Sequence, residues 1–202
     1  MVVLGIVFAV LWFSSATTGS NCPSAGAASS SSSALSDAAR NFVADPFVTT
    51  ADPNLRADRA QEVIPNLFLG PGTLGRDNTW LVAHNIKRVL NVGARKNQHA
   101  PAHITCTYID LPDLPTADIA RHFLSTYQYI DETLCRGERV YVHCEMGISR
   151  SVTIVCSYLM KKYRISSLDA LKHVQRIRPC ASPNLGFQKQ LHDYYLDQIR
   201  VT

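Results

Sequence analysis

Short apolar runs that alternate with amphipathic stretches predict an α/β chain built on a central, twisted, partly parallel sheet flanked by helices. Two runs carry this reading. Val89-Leu90-Asn91-Val92 and Val140-Tyr141-Val142 are short, β-branched and apolar, as strands buried inside a sheet are. Around them lie longer segments whose apolar residues recur at helical spacing, the connections that parallel strands require.

The elements follow in order. Glu62-Val63-Ile64 and Leu67-Phe68-Leu69 read as two short strands around the Pro65-Asn66 turn. Residues 74–85 have helical spacing through Leu74, Leu81 and Val82. Arg88-Val89-Leu90-Asn91-Val92 is a buried strand ending at Gly93, and residues 104–109 form another, closed by the turn-rich stretch 110–115. Asp118 opens a long helix whose stripe includes Ile119, Phe123, Tyr127 and Ile130 and which closes near Gly137. The central strand 139–142 follows, then a mostly apolar helix over 151–163. Ser167 caps the next helix, Pro179 and Pro183 break it, and residues 184–200 form the last.

Composition narrows the class. An apolar content of 46% and a charged content of 18% suit a chain that buries a core, and 202 residues allow one domain with length to spare. A net charge of +4, with no Lys/Arg block longer than two, argues against a nucleic-acid partner. Six cysteines without any C-x-x-C pair support neither a zinc site nor, in a chain this long, a disulfide framework; Cys106, Cys135 and Cys156 read as small apolar residues.

Three segments result: an apolar N-terminal segment 1–16, a Ser/Ala-rich linker 17–60 with five consecutive serines, and a folded domain 61–202. Residues 2–13 are uninterruptedly apolar but would span roughly 18 Å as a helix, short of a ~30 Å hydrocarbon core. They are open to three readings: a targeting segment, a weak membrane anchor, or sequence added by an upstream start. The chemistry below, which needs a reduced thiol, favours the cytoplasm or nucleus.

The most informative stretch is His143-Cys144-Glu145-Met146-Gly147-Ile148-Ser149-Arg150-Ser151. Strand, tight loop and helix in that order put a ring of backbone N–H groups at a helix N-terminus, where a phosphate dianion is attracted. Cys144 at the base of the loop is the candidate nucleophile, since a helix N-terminus and a cationic neighbour both favour a thiolate. Arg150 can grip two phosphate oxygens, the backbone of Glu145, Met146, Gly147, Ile148 and Ser149 can share the remaining charge, and Gly147 permits the turn. His143 is expected to orient the loop and tune the thiolate. Ser151 is either a donor to the sulfur or a simple helix-start serine. Neither a metal nor a cofactor is needed by this set. The proton donor must come from another loop; Asp110, Asp113 and Asp118 are candidates, with Asp118 better explained as a helix cap and Asp113, between Pro112 and Pro115, best placed to reach across.

These residues resemble the cysteine-based dual-specificity protein phosphatases, whose signature is H-C-x5-R-S. The resemblance extends beyond the loop to Ile64-Pro65 with Leu69-Gly70, Val89-Leu90-Asn91-Val92, Ser157-Tyr158-Leu159-Met160, Arg178-Pro179 and Pro183-Asn184-Leu185-Gly186-Phe187. It implies a protein tyrosine phosphatase-like fold and hydrolysis of phosphotyrosine and phosphoserine or phosphothreonine through a phosphocysteine. It also implies Asp113, ahead of Pro115-Thr116, as the acid, and Asn184 as a tether for the loop. The lack of an N-terminal basic docking domain resembles the small atypical branch. Other phosphate esters, lipid or RNA, are served by the same kind of loop, but their loops tend to carry extra cations, and this one has Glu145; a phosphoprotein substrate is expected. An inactive phosphoprotein-binding module is the remaining alternative, set against the retention of Cys144 and Arg150.

Overall fold

The computed structural model describes residues 57–93 and 100–200; the readings made for residues 1–56 lie outside them. Five strands form one sheet: β1 (Gln61–Ile64), β2 (Leu67–Pro71), β3 (Ile86–Val92), β4 (Thr105–Ile109) and β5 (Arg139–Cys144), in the order β1-β2-β5-β3-β4. Only the β1–β2 hairpin is antiparallel; β2–β5, β5–β3 and β3–β4 are parallel. Val142 sits at the centre, paired with Leu69 on one side and Leu90 on the other. The hairpin turn works because Asn66 takes a left-handed conformation, φ 69°, that asparagine tolerates.

Alternation along the strands divides the core in two. Leu67, Leu69, Leu90, Val92, Val140 and Val142 face one layer, together with buried residues of α3 (Phe123–Cys135), α4 (Arg150–Tyr163), α5 (Ser167–Ile177) and α6 (Leu185–Tyr194). Phe68, Val89 and Tyr141 face the other, with Leu81 of the short helix α2 (Asn78–Ala83), which follows the single turn α1 (Gly72–Gly75). Residues 151–160 of α4 are all buried, so this helix is walled on every side, consistent with its lack of a polar face. Between α3 and α4, Asp131 accepts from Lys162 Nζ at 2.7 Å and from Tyr158 Oη at 3.2 Å.

The structure departs from the sequence reading at helix ends. The segment 74–85 is not one helix: Asp77 accepts from the Trp80 N–H at 3.0 Å and starts α2 afresh after α1. Asp118 is not the cap: it accepts from the Arg121 N–H at 3.3 Å, but the cap position of the 3-10 turn Ala120–His122 is Ile119, and α3 begins only at Phe123. The cap of α5 is Ser166 rather than Ser167, because Ser166 Oγ accepts from the Asp169 N–H at 3.1 Å and donates to its carboxylate at 2.7 Å. The last helix ends at Tyr194 and passes into a π turn, Tyr195–Ile199.

Because β2, β3, β4 and β5 are parallel, their C-terminal ends lie along one edge of the sheet, and the segments after Pro71, Val92, Ile109 and Cys144 all leave there. That is where open α/β sheets hold their ligands. The cap correction makes a simple test: Ser166→Ala should cost about 1 kcal/mol in equilibrium denaturation, whereas Ser167→Ala should be close to neutral.

Candidate active site

Residues 144–150 curl into a cradle whose backbone carbonyls point outward. The Cys144 carbonyl pairs with His143 Nδ1 at 3.1 Å, and that of Glu145 accepts from the Gly72 N–H at 2.9 Å. Arg178 donates from Nη2 to Met146 O at 3.1 Å and from Nε to Gly147 O at 2.7 Å. Ile148 O accepts from the Ser182 N–H at 2.8 Å, and Ser149 O from the Thr153 N–H at 2.9 Å inside α4. With every carbonyl from 144 to 149 engaged outside the loop, its N–H groups are left to face the interior. Gly147 makes the turn at φ 66°, and a Cβ there would stand 2.4 Å from Gly70 O and 2.8 Å from Arg178 Nη2.

Cys144 lies at the base, 2% exposed. Its sulfur accepts from the Gly147 N–H and from Ser151 Oγ, each at 3.2 Å. Burial opposes ionisation of the thiol. The Ser151 hydroxyl, the backbone N–H groups of Ser151 and Ile148, and the Arg150 charge outweigh it, and the thiol pKa falls below its ordinary value. Ser151 therefore serves the sulfur from inside the first turn of α4 instead of capping the helix. His143 is buried and held neutral, its pKa brought down to about 4 chiefly by desolvation, despite its hydrogen bond to the Cys144 carbonyl. Its ring stacks on Tyr141 at 5.4 Å, and the Tyr141 hydroxyl, held protonated by burial, donates to Pro71 O at 2.7 Å. His143 thus meets the start of the loop at the Cys144 carbonyl, and its lowered pKa favours the neutral ring.

Asp113 reaches across from the β4–α3 connection. Its Oδ1 accepts from Ser149 Oγ at 2.7 Å and from Asn184 Nδ2 at 2.8 Å, and its Oδ2 lies 3.5 Å from Arg150 Nε. Arg150 Nη1 donates to Leu111 O at 3.1 Å, while its Nε is buried without a hydrogen-bond partner. Asn184 makes two contacts: its Oδ1 accepts from the Phe187 N–H as the cap of α6, and its Nδ2 donates to Asp113 Oδ1. The connection is clamped further at Gly186, where a Cβ would collide with Pro115 O at 1.9 Å. Asp110 is exposed at the end of β4, and Asp118 is spent on its 3-10 turn. Of the three candidate acids, Asp113 is the one joined to the cradle.

Three residues important to this geometry escaped sequence reasoning: Arg178, Tyr141 and Ser182. The Arg-Pro pair at the end of α5 was visible, but a surface arginine before a helix-breaking proline would look the same. Among the described residues no cluster of three or more His, Cys, Asp or Glu could hold a metal, no helix is long and apolar enough to cross a membrane, and the five cysteines are free thiols.

Residues 67–197 match the family model for the dual specificity phosphatase catalytic domain. The chain belongs to the dual specificity phosphatase family. It is 36% identical over 141 residues to dual specificity protein phosphatase 22-B of Danio rerio, covering 69% of this chain and 75% of that one. It is also 36% identical over 137 residues to human protein phosphatase Slingshot homolog 3, covering 68% of this chain but 21% of that protein. Among solved structures it resembles DUSP15 (TM-score 0.67, 29% identity, 71% of this chain and 92% of the other). It likewise resembles the human tyrosine phosphatase-like serine/threonine/tyrosine-interacting protein (TM-score 0.63, 31% identity, 69% and 97%). The protein tyrosine phosphatase-like α/β fold that the resemblance implied is the fold observed.

The thiol environment gives a direct test. Alkylation of Cys144 by iodoacetamide, followed by mass spectrometry of the native protein, should titrate below the range of an ordinary thiol. Reactivity should be full above that midpoint and lost as pH falls through it. Ser151→Ala removes a donor to the thiolate and should move the midpoint upward. Cys156, fully buried and with its pKa raised by desolvation, should stay unmodified throughout.

Proposed function

We propose that this chain is a cysteine-dependent protein phosphatase that hydrolyses phosphotyrosine and phosphoserine or phosphothreonine. The observation that carries the reading is the meeting of a hydrogen-bonded, acidified Cys144 sulfur, the Arg150 fork and the Asp113 carboxyl around one cradle of inward N–H groups. The phosphate dianion seats in the loop, with two oxygens on Arg150 and the others on backbone N–H groups. The Cys144 thiolate attacks phosphorus in line; a sulfur–phosphorus bond forms as the bond to the ester oxygen breaks, and protonated Asp113 supplies the proton that oxygen needs. Asp113, now a carboxylate, takes a proton from water, whose oxygen attacks phosphorus and releases the cysteine sulfur. Ser151 then stabilises the departing thiolate by the hydrogen bond already in place.

A phosphoprotein substrate is supported by the loop's own charge and rim. No cation lies between Cys144 and Arg150, and Glu145 stands exposed at the entrance, 3.5 Å from Arg76. Leu114 beside Asp113, Met146 in the loop and Leu185 beside Asn184 are each more than half exposed, a rim better matched to peptide side chains than to a polyphosphorylated headgroup. The chain spans 21% of the length of the human, mouse and rat Slingshot homolog 3 proteins it matches, so this reading rests on the domain and its site. A catalytic thiolate of this kind works in a reducing compartment, cytoplasmic or nuclear.

The purified chain is expected to hydrolyse an aryl phosphate in the presence of EDTA and to be blocked by orthovanadate. Cys144→Ser should leave no measurable turnover; activity surviving it would overturn the mechanism. Asp113→Ala should lower kcat on a phosphopeptide by about 10²–10⁴-fold while trapping of that peptide persists. The same pattern from Asp110→Ala would reassign the acid.

A further inference from the structure

Arg178, at the C-terminal end of α5, is 1% exposed and is the largest fully buried side chain of the molecule's described part. A guanidinium has five N–H donors, and here each has its own acceptor. Nε donates to Gly147 O at 2.7 Å and one Nη2 proton to Met146 O at 3.1 Å, both carbonyls of the cradle. The other Nη2 proton goes to Ala57 O at 2.9 Å, and Nη1 donates to Arg59 O at 2.8 Å and to Gln61 Oε1. Two bonds therefore hold the phosphate loop, and three hold the strand-entry segment 57–61.

All five acceptors are neutral amide oxygens. A buried cation without a carboxylate is costly unless some other anion compensates it. The loop whose carbonyls Arg178 holds carries the anions of the reaction: the Cys144 thiolate and the phosphate that seats in front of it. We propose that Arg178 is a positioning residue of the active site, which locks the cradle to residues 57–61 and turns the N–H groups of the loop toward the bound anion. The fork shape, more than the charge, does this, because a lysine has three donors and cannot reach five acceptors placed on two sides. It follows that the segment 57–61, though it touches no substrate, is mechanically part of the site. This inference rests on the phosphatase reading for its effect on turnover, but the anion-binding and thiol measurements below do not.

The test uses the full chain and the variants Arg178→Met, Arg178→Lys and Gln61→Leu. In folded Arg178→Met, orthovanadate should bind at least tenfold more weakly and the pH midpoint of Cys144 alkylation should rise, with kcat on an aryl phosphate falling more than KM changes. Arg178→Lys should fail to restore any of the three. Gln61→Leu, which keeps the cation and removes one anchor, should weaken orthovanadate at least threefold. A merely structural role would lower the denaturation midpoint and leave the alkylation midpoint of the folded fraction where it is, and that result overturns the proposal. Restoration by lysine overturns the fork argument. If Arg178→Met does not fold, Arg178→Lys and Gln61→Leu decide, and wild-type vanadate affinity in both sinks the idea. A wild-type chain that binds orthovanadate but hydrolyses nothing would count against the phosphatase reading alone.

Discussion

The arrangement depends on six carbonyl groups being held away from the centre of one loop. A peptide that turns seven residues around a point exposes N–H groups on one side only if its carbonyls find donors on the other. Here the donors come from five places: the ring of His143, the backbone N–H groups of Gly72, Ser182 and Thr153, and the guanidinium of Arg178. None of these groups takes part in chemistry at phosphorus. Their combined effect is electrostatic preorganisation, since dipoles fixed before the anion arrives need no reorganisation when charge moves during transfer. The same inward N–H groups lower the thiol pKa against the cost of burying a sulfur anion.

The second layer of organisation concerns Asp113. An aspartate on an exposed connection has too much freedom to serve a defined proton transfer, and two neutral donors, Ser149 and Asn184, remove it. Ser149 belongs to the cradle and Asn184 caps α6, so the acid is bound to both the phosphate loop and the helix that closes the fold. Close packing of Gly186 against Pro115 holds the two segments in register. Arg150 meets Asp113 from the other side, its Nε 3.5 Å from Asp113 Oδ2 and without a hydrogen bond.

Much of this was legible beforehand, for identifiable reasons. Cys144, Arg150 and the loop between them could be read because their order along the chain is itself the geometry: a strand, a tight turn and a helix start force a cradle. Asp113 was favoured among three aspartates by its flanking prolines, and the fold brought only it to the loop. The strands were read correctly because their apolar runs are short and bounded by turn residues. Helix starts were less legible. Ser166 and Ser167 are equivalent in sequence, and only backbone dihedrals distinguish the cap from the first helical residue. The break between α1 and α2 was hidden for a similar reason: apolar spacing continued through it, while Asp77 offered its carboxylate to a new helix.

By itself, then, the sequence determined the chemical identity of the site and the α/β class, because both are written in contacts between near neighbours: a period, a turn, a nucleophile ahead of an arginine. Tertiary structure alone decided which distant groups complete it. Arg178 stands 31 residues from Gly147 and well over a hundred from Arg59, and no local pattern marks a side chain that buries its charge among carbonyls so widely separated. Asn184 was marked as a tether by the Pro183-Asn184-Leu185-Gly186-Phe187 resemblance, but its bond to Asp113, 71 residues away, exists only in the fold. Local spacing is a property of the chain, but the convergence of donors on one loop is a property of the packed sheet edge, where the ends of four parallel strands bring those segments together.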